Sequence, residues 1–177
     1  FGFGNSDRLE IWRFGAGGIE KGAAWIPYDA DKGGDRDVTL AAFTPSGQAL
    51  TINSRGQLTA WNLDPVQPVW SCQAASGCQP ALSPNRMFLV LADEEQICLI
   101  DLANQRVAAS RTLKTGGAPK FSFSSDGARF AAATHAGGTV WETATGETYR
   151  EVESTLIPAG SSSAPPVFVN DEQVLFG

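Results

Sequence analysis

The stretch that decides the fold is FSFSSDGARFAAATHAGGTVWETATGE, Phe121 to Glu147. Short apolar runs alternate here with clusters of Ser, Asp, Thr and Gly, the residues that let a chain reverse direction. It reads as a strand at Phe121 to Phe123, a turn at Ser124-Ser125-Asp126-Gly127 and a second strand at Arg129 to Thr134. A hairpin at His135 to Gly138, a third strand at Thr139 to Thr143 and the turn Ala144-Thr145-Gly146-Glu147 follow. That is most of one small antiparallel sheet.

The pattern recurs on both sides. Phe43, Leu82, Phe123 and Phe168 fall in one column, spaced about 39, 41 and 45 residues apart, which is the range of four-stranded propeller units. Each begins a polar turn: Thr44-Pro45-Ser46-Gly47, Ser83-Pro84-Asn85-Arg86, Ser124-Ser125-Asp126-Gly127 and Val169-Asn170-Asp171-Glu172. A second column holds Trp61, Ile100 and Trp141. Phe1 to Trp12 aligns without a gap on Leu50 to Trp61, so the chain opens inside a repeat.

The units predict strands at Thr39 to Phe43, Ala49 to Asn53, Leu58 to Leu63 and Pro68 to Cys72, then at Gln79 to Leu82, Phe88 to Ala92, Ile97 to Leu102 and Arg106 to Ser110. Thr148 to Val152 completes the third unit. Leu9 to Phe14 and Ala23 to Ile26 make half a unit at the front; Pro166 to Phe168 and Val174 to Phe176 make half a unit at the back. Runs such as Phe88 to Ala92, apolar on both faces, suit inner strands between neighbouring sheets. Trp12, Trp61 and Trp141 are expected in the core, where losing one would cost roughly 3 to 5 kcal/mol.

Phe-Thr-Pro-Ser-Gly at 43 to 47, Phe-Ser-Ser-Asp-Gly at 123 to 127 and Val-Trp-Glu-Thr-Ala-Thr-Gly-Glu at 140 to 147 resemble WD-repeat blades. The resemblance implies an all-β propeller fragment: three complete blades at 38–72, 78–110 and 119–152 and partial blades at 1–26 and 166–177, cut from a ring of about seven. No unit carries the Gly-His pair of that family, and the Trp-Asp dipeptide stands as Trp12-Arg13, Trp61-Asn62, Ile100-Asp101 and Trp141-Glu142. The expectation is therefore blades held mainly by apolar packing in place of the family's buried polar tetrad. Pro68-Val69-Trp70 after Leu63-Asp64 also resembles the quinoprotein type of propeller.

Function follows from the resemblance at the level of class. A non-catalytic protein-interaction scaffold is implied, since rigid sheets present variable turns and need no reactive group. The alternative is part of a quinoprotein-like dehydrogenase whose cofactor site lies outside these residues. In a blade, the hairpins between second and third strands emerge with the connections between blades. Asp7, Arg8, Arg55, Glu94, Glu95 and His135 are thus expected on one contact face, with the acidic loop Asp29 to Asp37 beside them. Unpaired blade edges are expected to promote self-association.

Composition narrows the classes. The chain has 177 residues, 42% hydrophobic and 18% charged, enough to bury a core. A net charge of -6 with only 13 Lys and Arg argues against a nucleic-acid partner. The longest apolar run, Met87 to Ala92, is too short to span a bilayer. The start lacks Met and reads as cut from something longer, so location stays open, a cytoplasmic setting being favoured; no Asn-x-Ser/Thr acceptor points to secretion.

No cofactor, metal or catalytic residue is predicted. His135 reads as a solvated turn residue, and there is no Gly-x-Ser-x-Gly elbow. Cys72, Cys78 and Cys98 read as small, partly buried thiols, although Cys72 and Cys78 could close the loop between them if the compartment is oxidising. Zinc would need these cysteines and His135 to converge from different sheets. Asp29 to Asp37 has carboxylates at alternate positions, as a calcium loop does, but lacks the bidentate Glu, and reads as a solvated acidic loop. Gly15, Gly17 and Gly18 do not complete a dinucleotide-binding fingerprint.

Overall fold

A computed structural model describes residues 8–28, 37–113, 119–134, 137–153 and 164–176. All the regular structure among them is strand. The chain divides into two compact units, Phe1–Gly77 and Cys78–Gly177.

The first unit contains a hairpin, β1 (Leu9–Gly15) and β2 (Gly18–Trp25), and a four-stranded antiparallel sheet of β3 (Val38–Phe43), β4 (Ala49–Asn53), β5 (Gln57–Leu63) and β6 (Val66–Gln73) in sequential order. β2 starts well before the predicted Ala23. Gly15 pairs with Gly18, whose φ of +113° suits glycine, so the Gly-rich stretch is a tight reversal inside a longer hairpin.

The second unit holds two complete sheets and one hairpin. β7 (Gln79–Leu82), β8 (Phe88–Ala92), β9 (Gln96–Asp101) and β10 (Arg106–Thr112) form one sheet. β11 (Lys120–Phe123), β12 (Arg129–Thr134), β13 (Gly137–Glu142) and β14 (Thr148–Glu153) form the next, and β15 (Val167–Asn170) pairs with β16 (Gln173–Leu175). β13 takes in Gly137 and Gly138, which the sequence placed in a turn. A Cβ on Gly138 would lie 2.4 Å from the Phe176 ring, so this glycine serves a close approach between neighbouring sheets.

The second strands are the inner ones, as their composition requires. β4 is buried at all five positions, and Leu89 to Ala92 and Phe130 to Ala133 are buried throughout. In the second unit Val90, Ala92, Ile97 and Leu99 pack with Leu113, Phe130, Ala132 and Trp141 in one apolar cluster. Trp141 is 5% exposed and stacks on Phe130 with ring centres 4.8 Å apart.

The Trp column does not behave uniformly. Trp61 is half-buried, and Trp12 is 48% exposed, which corrects its expected core position. The reason is its strand: among the described residues β1 pairs only with β2, so no inner strand covers the indole, and Lys21 lies 5.6 Å from the ring centre instead.

Apolar packing is also not the whole of the cohesion. In the β3–β6 sheet the Trp61 indole N–H donates to Thr51 Oγ1 at 2.9 Å, and the Tyr28 hydroxyl meets the same oxygen at 2.9 Å and donates to the Gln57 carbonyl at 2.8 Å. Tyr28, in the connection before β3, is 3% exposed, and burial pushes its phenol up to about 12 against the pull of Thr51 and Thr59. A buried polar relay therefore crosses this sheet although the Gly-His pair is missing.

The polar turns after the first strands repeat one design. Ser124 Oγ donates to Asp126 Oδ1 at 2.6 Å and accepts from the Arg129 amide at 2.9 Å; Ser83 does the same with Asn85 (2.7 Å) and the Phe88 amide (3.0 Å). These turns also clasp one another. Asn85 Nδ2 donates to the Asp126 carbonyl at 2.9 Å, Ser125 Oγ to Asp171 Oδ1 at 2.7 Å, and the Arg129 guanidinium to the Asp171 carbonyl.

Candidate functional site

Arg55 stands in the β4–β5 hairpin, which is held from both sides. Asn53 Oδ1 accepts the Gln57 amide at 2.9 Å, and the Ser54 amide donates to the Asp37 carbonyl at 3.1 Å, where the chain enters β3. After β6, the Ala74 amide donates to Gly56 (2.9 Å), the Gly77 amide to Ser54 (3.0 Å), and Gln73 Nε2 to the Arg55 carbonyl (2.6 Å). Gly56 has φ +80°, and a Cβ there would lie 2.4 Å from the Ala75 carbonyl, so only glycine fits this packing. The Arg55 side chain remains exposed on a backbone braced through the Arg55 carbonyl and through both backbone groups of Ser54 and Gly56.

Glu94 and Glu95 occupy the equivalent hairpin of the β7–β10 sheet and are exposed. Asp93 organises it, its Oδ1 accepting the amides of Glu95 (2.8 Å) and Gln96 (2.7 Å), while the Leu113 amide donates to Glu95 O at 2.7 Å. The signal that could have found this is an Asn or Asp closing the second strand, Asn53 in one unit and Asp93 in the next, because such side chains cap tight turns.

Arg8 leads into β1, exposed and 3.5 Å from Glu10, which Lys21 also contacts at 2.6 Å. The Lys21 hydrogen bond, with Arg8 assisting, holds the Glu10 carboxyl below its usual range despite some burial acting the other way. Of the predicted contact residues, Glu94 and Glu95 share a hairpin, and Arg8 and Arg55 sit on separate sheets of the first unit. Asp7, His135 and residues 29–36 of the acidic loop lie outside the described residues.

The first unit also contains a cleft of about 730 Å³ between the β1–β2 hairpin and the β3–β4 strands, walled by Trp12, Phe14, Trp25 and Phe43 and edged by Arg8 and Glu10. Phe14 is 78% exposed, and the buried Trp25 indole N–H has no hydrogen-bond partner among the described residues. Reading Trp12 as core hid this feature from the sequence.

Cys72, Cys78 and Cys98 are half-buried thiols that form no disulfide. Burial raises the pKa of Cys78 and Cys98, helped at Cys78 by Asp93, so both stay protonated and weakly nucleophilic. Among the described residues no three His, Cys, Asp or Glu side chains are grouped to hold a metal ion, and no helix is long and apolar enough to cross a membrane.

At the opposite end of the β7–β10 sheet, Asp101 is 7% exposed in the β9–β10 turn. Burial works to raise its pKa, but the Asn104 side chain (2.7 Å) and amide (3.0 Å), with Arg106 at 3.7 Å, outweigh this and hold the carboxyl below its ordinary value.

No protein-family model and no curated protein sequence matches this chain. Solved structures do resemble it. Sqt1 of Chaetomium thermophilum matches at 17% identity and a TM-score of 0.61, over 92% of this chain and 44% of that one. The same protein bound to the N-terminus of the ribosomal protein L10 matches at 17% identity and 0.62, over 92% and 46%. The WD40 repeats of RRP9 match at 13% identity and 0.52, over 68% and 40%. The chain thus has the WD-repeat propeller fold, and it spans less than half the length of each of these structures.

Proposed function

We propose that this chain is part of a non-catalytic protein-interaction module and that its contact surface is built from the hairpins between the second and third strands. The repeat runs in phase from Phe43 to Leu82 across the boundary between the two units, which supports reading them as one propeller domain. The observation that carries the proposal is the braced hairpin backbone: Arg55, Glu94 and Glu95 are exposed charges on loops in which the Arg55 carbonyl, the Gly56 amide and both backbone groups of Glu95 are already bonded, so less ordering entropy is lost on contact. Arg8, Asp7, His135 and the loop from Asp29 to Asp37 belong to the same proposed surface. Its mixed charge favours orientation and on-rate, with Arg55 as the energetic anchor. The solved complex of Sqt1 with the N-terminus of a ribosomal protein supports a protein as the class of partner.

The test uses the full-length protein and a partner first recovered by pull-down and then purified. Arg55→Ala combined with Glu94→Ala should weaken the affinity about tenfold or more, as interface anchors do, with the melting temperature unchanged. Thr145, exposed in the β13–β14 turn at the other end of its sheet, is the control. Loss of binding on altering Thr145 but not Arg55 and Glu94 contradicts the reading.

A further inference from the structure

Most of the turns at the other end of the complete sheets hold one residue with left-handed backbone, which suits glycine. In the turn between first and second strands, Gly47 has φ +80° and Gly127 has φ +72°; in the turn between third and fourth strands, Gly146 has φ +66°. The β7–β10 sheet departs from this twice. Arg86 takes the place of Gly47 and Gly127 at φ 60°, and Gln105 takes the place of Gly146 at φ 52°. Left-handed backbone is unfavourable for residues with a Cβ, and strained residues concentrate at binding sites. Two such positions at one end of one sheet, both carrying long polar side chains, call for a compensating use.

The fold itself does not supply one for Arg86. Its side chain is exposed, and no described residue hydrogen-bonds or ion-pairs with its guanidinium. The nearby acids are engaged elsewhere: Asp101 with Asn104 and Arg106, Asp126 with the Ser124 hydroxyl and the Ala128 amide. Arg106, whose side chain is 60% exposed, opens β10 two strands across from Phe88, a backbone separation of roughly 10 Å, and Arg86 lies two residues before Phe88 in the turn.

We propose that Arg86, with Arg106 beside it, is the contact point of a second interaction surface, which takes an acidic peptide segment of a partner. A guanidinium fork binds a carboxylate in two parallel hydrogen bonds, and two of them at this spacing suit carboxylates on an extended acidic segment. The surface lies at the opposite strand ends from Arg55 and stands independently of the function proposed above. Because the chain carries a net charge of -6, an acidic peptide has no general attraction to it, and binding would report a local site.

The experiment is fluorescence anisotropy of labelled hexaglutamate with the full-length protein at low ionic strength. Wild type should bind, and Arg86→Gln should weaken binding about tenfold, the loss of one charge-assisted contact. Arg86→Gly should lose binding equally while raising the melting temperature by about 2–4 °C, since it relieves the backbone. That opposition separates a contact residue from a structural one. Absence of wild-type binding, unchanged binding by Arg86→Gln, or a lowered melting temperature for Arg86→Gly overturns the proposal.

Discussion

At the scale of single residues, identical side chains at one repeat position do different work according to what the sheet around them supplies. Trp141 is buried against Phe130, whereas Trp12 is 48% exposed on a two-stranded sheet. Trp141→Ala should cost roughly 3 to 5 kcal/mol in urea unfolding, and Trp12→Ala well under that, since surface truncations stay near 0.5 kcal/mol. The sequence placed both in strands, as the structure shows, but side-chain burial depends on neighbouring strands that a repeat position does not reveal. Tyr28 went unread for a related reason: it lies in a connection with no periodicity, and only the fold brings it to Thr51. Its phenol has a folded pKa raised to about 12 from 10.0, so its contribution is whole below pH 10 and is lost as pH rises toward 12. Tyr28→Phe should therefore cost about 1–2 kcal/mol at neutral pH, and the gap from wild type should shrink across that alkaline window. A gap constant to pH 12 in chemical unfolding would show that the hydroxyl is not buried in the relay.

At the scale of elements, apolar runs bounded by Ser, Asp and Gly located the sixteen strands seen among the described residues, and β4, β7, β8 and β12 have the predicted limits. β6 and β10 run longer than predicted, and β15 continues through Val169 and Asn170, which the sequence placed in a turn; two further departures fall at glycines. Gly15 to Gly18 close a hairpin and Gly137 and Gly138 lie within a strand, because a glycine serves equally a reversal and a close approach, and sequence alone does not say which. The turn-to-turn clasps were equally hidden, since they join residues in different repeats. They make Gly127 sensitive: φ is +72° and a Cβ would lie 2.6 Å from Asn85 Nδ2. Gly127→Ala should destabilise by about 1–3 kcal/mol. Removing Asn85 at the same time should recover the part due to the clash and leave the backbone part, giving a non-additive double-mutant cycle in denaturant unfolding. Strict additivity would mean that the two turns do not touch.

At the scale of the whole molecule, the two complete sheets of the second unit pack through buried second and third strands, while the two hairpin sheets keep apolar groups exposed: Phe14 78%, Ile19 65%, Val169 67% and Leu175 63%. Residues 1–177 on their own should therefore self-associate at micromolar concentration in analytical ultracentrifugation, and a monodisperse monomer would contradict this. The repeat made the architecture legible, because stacking identical units needs the same apolar column in each. The proposed contact surface was legible only as hairpin positions, since exposed charges have no period and nothing in the sequence shows which backbone groups around them are bonded. The bracing of these hairpins is the central claim, and native-state hydrogen exchange followed by NMR tests it most directly. The amides of Ser54, Gly56, Ala74, Gly77 and Leu113, all donors in the hairpin clamps, should exchange as slowly as those of β5. Exchange of these amides at unprotected rates, with β4 and β5 still protected, would contradict a rigid contact surface.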